Sequence, residues 1–322
     1  MKHLFLFCFL LLVNSSCRKD LIRWQQVEKL ETFTDKDRFN KIFFINDSLG
    51  FVIGGQRFFN STILKTTDGG KTWNYRNIPE APKSLFGITT SPNGTLYIIG
   101  FDGKLLKSED AGESWQFHQL WYLPYKDIAM FDDKDGIAVG GISFYAGYKT
   151  QLDLNGNFGA FDSVGYEIND VEMIDGNAGY LATYGAILKT NDAGKSWQMQ
   201  EIENDNFTSI RAYGENEAWT CGYNGSIFHT SDGGKNWERM RDGNDLTKPR
   251  YRLLDILFQD PQHGFAVGEN GLFLFTDDGG YHWMEFERFT DNTLRCIISR
   301  KDGSLMVCGD NGRLYSVKPK RF

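Results

Sequence analysis

Cysteine is scarce in this chain: five in 322 residues, none in a CxxC spacing, so neither a disulfide framework nor a zinc site is indicated. Positive charge is also short, since 35 Lys and Arg face 42 Asp and Glu for a formal net charge of −7. The basic footprint that nucleic-acid binding needs is therefore missing. The five histidines form no HxH or HExxH pattern, and no Gly-x-Ser-x-Gly elbow occurs. Gly-Gly pairs open strands rather than helices, which excludes a phosphate-cradling loop. No catalytic, cofactor or metal residue is assigned. The one long apolar run, residues 4–13, is ten residues and too short to span a bilayer.

That run follows Lys2 and His3 and precedes Ser15, Ser16 and Cys17, the layout of an export signal. It resembles a bacterial lipobox, which implies that Cys17 is lipidated and becomes the new N-terminus. Asn14 departs from the aliphatic residue usual three places before the cysteine. Residues 1–17 are expected to be the signal and 18–322 a single domain. The expected setting is the cell envelope, with membrane attachment through the lipid alone.

Aromatics at 15% and 35 glycines suit β structure with many tight turns. A phrase recurs as KTTDGGKTW (65–73), KSEDAGESW (107–115), KTNDAGKSW (189–197), HTSDGGKNW (229–237) and FTDDGGYHW (275–283). The carboxylates of Asp68, Asp110, Asp192, Asp232 and Asp278 can accept bonds from the backbone N–H groups that follow, in turns whose glycines allow positive φ. Trp73, Trp115, Trp197, Trp237 and Trp283 would then start the next strand and pack one sheet on its neighbour. Alternating apolar runs before each box give four strands per unit. With Trp24 the tryptophan intervals are 49, 42, 82, 40 and 46 residues, and 82 is two units of 41. The hidden unit is expected at 125–158, where box and Trp are both absent. The last unit, 293–317, has three strands, and the segment around Trp24 is expected to supply its fourth and close the ring. The expected fold is all-β, a seven-bladed propeller of four-stranded antiparallel blades. Cys221 and Cys308, in AWTCGYNG and LMVCGDNG, match the place of Val267 and are read as filling one apolar core slot.

The repeats resemble Asp-box (BNR) propellers, and the GxAVGxxGxLxxTxDGGxxW spacing resembles the photosystem II stability/assembly factor family. The resemblance covers roughly residues 21–317. It implies the propeller fold and, by analogy, an accessory or assembly role.

Asp boxes on turns between third and fourth strands are expected to be scaffolding on one face. Function is expected on the opposite face, where the chain departs from its own repeat. Compact loops there, 101–103 and 269–271, contrast with a loop carrying Arg57, Phe58 and Phe59 and another carrying Phe144, Tyr145 and Tyr148. One blade connection brings Trp121 and Tyr122; another, 238–252, brings Arg239, Arg241, Arg250 and Arg252. An aromatic rim and a basic lobe of this kind suit a protein or glycan partner. The reading is of a non-catalytic binding or assembly scaffold. A glycoside hydrolase using Asp127, Asp170 or Asp255, and a structural spacer or adhesin, are the alternatives; Arg211, Arg252 and Arg295 could form a carboxylate-binding triad. The three aspartates are read as caps of local backbone.

Overall fold

The computed structural model describes residues 21–320 apart from 33, 77, 144, 154–156 and 246–249. The expected signal, Cys17 and Phe144 lie outside the described residues. The chain forms seven four-stranded antiparallel sheets. Blades 1 to 6 span residues 38–76, 85–119, 125–164, 168–199, 207–241 and 253–285, each running from its innermost strand outward. Blade 7 takes three strands from 294–319 and its outermost from Trp24–Lys29. Seven apolar clusters, one between each successive pair of blades, include one joining blade 7 to blade 1 through Cys296, Cys308, Phe39 and Ile42. The array is thus a closed ring.

The N-terminal strand closes it by two sets of bonds. Its residues pair with Leu314–Pro319, with Val27 opposite Val317. Just before it, Ile22 N–H donates to Glu285 O at 3.0 Å, and Glu287 N–H donates to Ile22 O at 2.8 Å, so the segment also grips blade 6. Trp24 stacks on Phe286 with centroids 3.9 Å apart and donates its indole N–H to Glu287 O at 2.9 Å.

Each Asp box is a closed hydrogen-bonded turn. Asp68 accepts from Thr72 N–H at 3.0 Å and Thr72 Oγ1 at 2.6 Å, while Gly70 N–H donates to Thr66 Oγ1 at 2.9 Å. Asp110, Asp192, Asp232 and Asp278 take the same two bonds from Ser114, Ser196, Asn236 and His282, four residues on. The bonds from Ser196 and Asn236 hold the carboxyls of Asp192 and Asp232 down at about 2. Ala111 and Ala193 stand where the other boxes have their first glycine, and both adopt the left-handed region at φ 58° and 56°. The tryptophans pack backward: Trp115 meets Phe51 of blade 1 edge-on at 6.3 Å, and Trp237 meets Tyr180 of blade 4 at 6.2 Å. Trp24 does the same for blade 7 against blade 6.

Blade 3 lacks a box, yet it is complete. Its third and fourth strands, Ala146–Asp153 and Asn157–Val164, are eight residues each, so the unit runs beyond the expected 158 to 164. Elsewhere among blades 1 to 6 the outer strand has only two to four residues, because the box turn takes up chain that blade 3 spends on strand. Cys221, Val267 and Cys308 hold one register position in blades 5, 6 and 7, in apolar clusters, as expected.

Trp24→Ala should lower the unfolding free energy by roughly 3 kcal/mol, the low end for a tryptophan truncation because the ring is partly exposed. Urea unfolding followed by the remaining tryptophans measures it. A loss under 0.5 kcal/mol, to order of magnitude, would mean that the clasp does not hold the ring.

Candidate functional site

In all seven innermost strands the pairing slips by one residue near the start: between Phe39 and Lys41, Leu85 and Gly87, Tyr125 and Asp127, Ile168 and Asp170, Phe207 and Ser209, Leu253 and Asp255, and Leu294 and Cys296. A bulge bends its strand and re-aims the side chain of the extra residue. The seven extra residues are Asn40, Phe86, Lys126, Asn169, Thr208, Leu254 and Arg295, and all seven line one cavity of about 600 Å³. Loops joining second to third strands complete its wall through Arg57, Phe101, Ser143 and Tyr223, so the cavity is the axial mouth on the face opposite the Asp boxes. Several extra residues also tie blades together. Asn40 Nδ2 donates to Leu85 O at 2.7 Å, Asn169 Nδ2 to Phe207 O at 2.7 Å, and Thr208 Oγ1 to Leu253 O at 2.8 Å.

One residue below lies a ring made by the next position of each strand. Lys41 Nζ reaches Asp127 at 2.9 Å and Asp170 at 3.1 Å; Arg211, two residues beyond the ring position Ser209, reaches Asp170 at 2.7 Å and Asp255 at 3.0 Å. Each aspartate also accepts a backbone N–H from the next blade: Asp127 from Val171 at 3.4 Å, Asp170 from Ile210 at 3.0 Å, and Asp255 from Ile297 at 2.9 Å. The expectation that these aspartates cap local backbone holds for Asp255, which accepts the Ile256 N–H at 3.0 Å, but all three also cap a strand of the neighbouring blade, because the inner strands lie side by side around the axis.

Two cations cannot neutralise Asp127, Asp170, Asp255 and the nearby Glu172 together, and burial decides which acids stay protonated. Burial, reinforced by the charge of Asp170, pushes Asp127 up to about 8 although Lys41 opposes it. Burial likewise lifts Glu172 to about 7. Asp170 is also buried, but Arg211, Lys41 and the Ile210 N–H outweigh that and hold it below the carboxylate range. The two aspartates shift in opposite directions because they share Lys41 while Asp170 alone also has Arg211. Burial would lower Lys41, but Asp127 and Asp170 hold its ammonium well above its ordinary value.

The mouth is rich in charged side chains, and five of its six cations are paired with carboxylates, Arg38 among them with Asp310 at 3.2 Å. Its lining carries Arg38, Lys41, Arg57, Lys126, Arg211 and Arg295 against three carboxylates, Asp102, Asp170 and Asp255. Lys126 is bonded to Glu167, and Arg295 to Asp310 at 2.6 Å. Arg57 has no carboxylate in ion-pair range among the described residues and lies over the rings of Phe58 at 5.1 Å and Phe101 at 5.8 Å. The aromatic rim is present beside it: Phe59 is 80% exposed, Tyr122 and Tyr145 are each 77%, and Phe58 and Trp121 are about half exposed. Tyr122 and Arg57 line the cavity directly.

Other expected residues are placed differently. Tyr148 is a half-buried strand residue packed on Phe161 at 5.9 Å, not part of a loop. The basic lobe does not assemble. Arg239 and Arg241 belong to the outer strand Glu238–Arg241 of blade 5; Arg239 pairs with Glu203 at 3.3 Å, and Arg241 donates to Gly225 O. Arg252 lies over Tyr223 at 4.4 Å and pairs with Glu269 at 3.5 Å, while Arg250 is exposed. Arg211, Arg252 and Arg295 form no triad, since each is bound to a different carboxylate. Sequence reasoning missed Arg38, Lys41, Phe86, Phe101 and Lys126, whose grouping needs the ring.

Asp127 and Asp170 should respond oppositely to amidation. An acid raised in the folded state gives stability that is complete below its unfolded value near 4 and is lost as pH rises through its folded value, here about 8. Asp127→Asn should therefore flatten the fall in melting temperature between about pH 4 and 8. Asp170→Asn leaves Arg211 and Lys41 short of a buried partner and should cost about 3–5 kcal/mol at neutral pH. Calorimetry of both variants across pH checks this, and equal losses at all pH values would contradict it.

A family profile described as "Photosynthesis system II assembly factor YCF48" matches residues 17–124, 162–251 and 246–300. A stretch of 72 residues is 42% identical to the photosystem II stability/assembly factor HCF136, chloroplastic, of Arabidopsis thaliana, covering 21% of this chain and 17% of that relative's length. A solved structure, YCF48 bound to D1 peptide, superposes with TM-score 0.70 at 18% identity over 94% of this chain and 97% of that one. YCF48 from Cyanidioschyzon merolae gives 0.71 at 17% identity over 92% of this chain and 99% of that one. Virginiamycin B lyase from Staphylococcus aureus gives 0.74 at only 10% identity over 92% and 99%, a likeness of fold. Since the profile spans well over half of the residues and its one unmatched internal gap, 125–161, falls on the blade without an Asp box, this chain belongs to the YCF48 family of photosynthesis system II assembly factor-like proteins.

Proposed function

We propose that the chain is a non-catalytic docking factor that holds a segment of another protein in the axial mouth and against its aromatic rim. The observation that carries the reading is the pairing, on one face of a rigid ring, of strongly exposed aromatics with a cation-rich cup. Aromatic and arginine side chains are the types enriched at the anchoring points of interfaces. Arg57 combines both features, being cationic, stacked and lining the cup. A relative of the same fold has been solved with a peptide bound, which supports a protein segment as the occupant.

The same geometry argues against hydrolysis. A glycosidase needs two carboxyl groups free to face each other across the sugar. Asp170 and Asp255 are committed to Arg211 and to backbone N–H groups of the next blade, Asp127 to Lys41, and Asp102 to Lys83. A polysaccharide would engage the rim but leave Arg57, which has no carboxylate partner among the described residues, without one, so a protein segment is the better fit. Export and a lipid on Cys17 complete the proposal, resting on residues 1–17 of the sequence, and would put the ring in the bacterial envelope.

Selection from a displayed library of short random peptides tests the docking face. Tight binders should lose about tenfold or more in affinity with Tyr122→Ala or Arg57→Ala and keep it with Tyr281→Ala on the Asp-box face. Binders insensitive to both top-face changes, or sugar binding in place of peptide binding, would refute the proposal.

A further inference from the structure

Cys296 and Cys308 are direct register partners on the two inner strands of blade 7. Side chains of directly opposed residues in an antiparallel pair point to the same side, with Cβ atoms about 4.5–5.5 Å apart. Both thiols are buried in the cluster between blades 7 and 1, where they face the Ile42 and Phe39 carbonyls of blade 1 at 3.9 and 3.6 Å. Cys296 occupies the ring position that holds Asp127, Asp170 and Asp255 in other blades, and its Sγ receives the Ile42 N–H of blade 1 at 3.4 Å just as those carboxylates receive theirs. Sulfur is a weak acceptor. Three ring joints rest on a carboxylate, therefore, while the joint at which the ring closes has a thiol in its place and a second thiol beside it. Cys221 sits opposite Ser209 and has no such neighbour in its register.

We propose that Cys296 and Cys308 are a site of oxidation, forming a cross-strand disulfide within the clasp blade when the chain folds in the presence of a disulfide oxidant. The reaction exchanges two S–H bonds for one S–S bond: the thiolate of one cysteine attacks a sulfur of the oxidant, the second displaces the mixed disulfide, and the oxidant leaves as two thiols. The two protons lost by the cysteines end, by way of solvent, on the oxidant's two sulfurs, which leave as thiols carrying the two electrons. Adjacent antiparallel strands meet the Cα separation that a disulfide needs, about 4.4–6.8 Å. Because blade 1 covers both sulfurs, the oxidant reaches them before the ring closes or when the seam opens. The product ties the second strand of the clasp blade to its innermost strand, holding blade 7 in register while the N-terminal strand docks on its outer edge.

The test is to unfold the full chain in reductant, refold it with oxidised and reduced glutathione, block free thiols under denaturing conditions, and map tryptic peptides by mass spectrometry. The expected product joins residues 296–300 to residues 302–313, with Cys221 blocked as a free thiol. Its melting temperature should exceed that of the reduced chain by roughly 3–6 °C, and native reduced protein should oxidise many-fold more slowly than refolding protein. Recovery of both cysteines as blocked thiols, or a linkage through Cys221, would overturn the proposal. A Cys221→Ser variant, which leaves the pair intact, should give the same linked peptide.

Discussion

The ring depends on the joint between neighbouring inner strands. At the same place in every blade the strand carries one residue too many, and the bulge turns that residue toward the mouth while the next one lies in the neck below. In blades 3, 4 and 6 the next residue is an aspartate that accepts a backbone N–H across the gap. Inner strands of separate sheets cannot share a ladder, so their facing backbone groups would otherwise go unpaired in a buried neck. Carboxylates meet that need, and Lys41 and Arg211 balance the charge they bring. The Asp boxes play the corresponding part at the opposite face, where each tryptophan packs on the blade before it.

This division of labour leaves the mouth free to carry recognition. Its seven bulge residues are two asparagines, two cations, a threonine and two apolar side chains, as expected if the bulge is required by geometry and no one side chain is. The cup stands on a neck locked by ion pairs and cross-blade bonds, so a segment docked there as proposed would meet preformed groups at little ordering cost. Loops of uneven length around the cup add Phe58, Phe59 and Tyr145 on one side, and Trp121 and Tyr122 come from the connection between blades 2 and 3. The exposed aromatics therefore lie toward blades 1 to 3, on the face that departs from the repeat.

Much of the fold was legible because the Asp box is a local device: a carboxylate, a hydroxyl and a glycine within a few residues leave a phrase that recurs in the chain. The tryptophan after each box gave the period, and the 82-residue interval gave the missing blade. Trp24 disclosed the clasp because it lacked a box of its own. The neck was only half legible. Asp127, Asp170 and Asp255 were visible as carboxylates on inner strands, but Lys41 pairs with residues 86 and 129 positions away, a proximity created only when the ring closes. The bulges left no single recurring letter: Asn stands at 40 and 169, but Phe86, Lys126, Thr208, Leu254 and Arg295 hold the other five places. Arg239 and Arg241 were misplaced because four strand residues follow directly on Trp237, where a loop was expected.

The account's central claim is that partners meet the cup and rim while the Asp-box face only supports the ring. Photo-cross-linking side chains installed singly at Phe59, Tyr122 and Tyr281, all strongly exposed, address it in the native cell. Light should trap a protein partner from positions 59 and 122 and none from position 281. Adducts formed from position 281 but not from 59 or 122 would contradict the account.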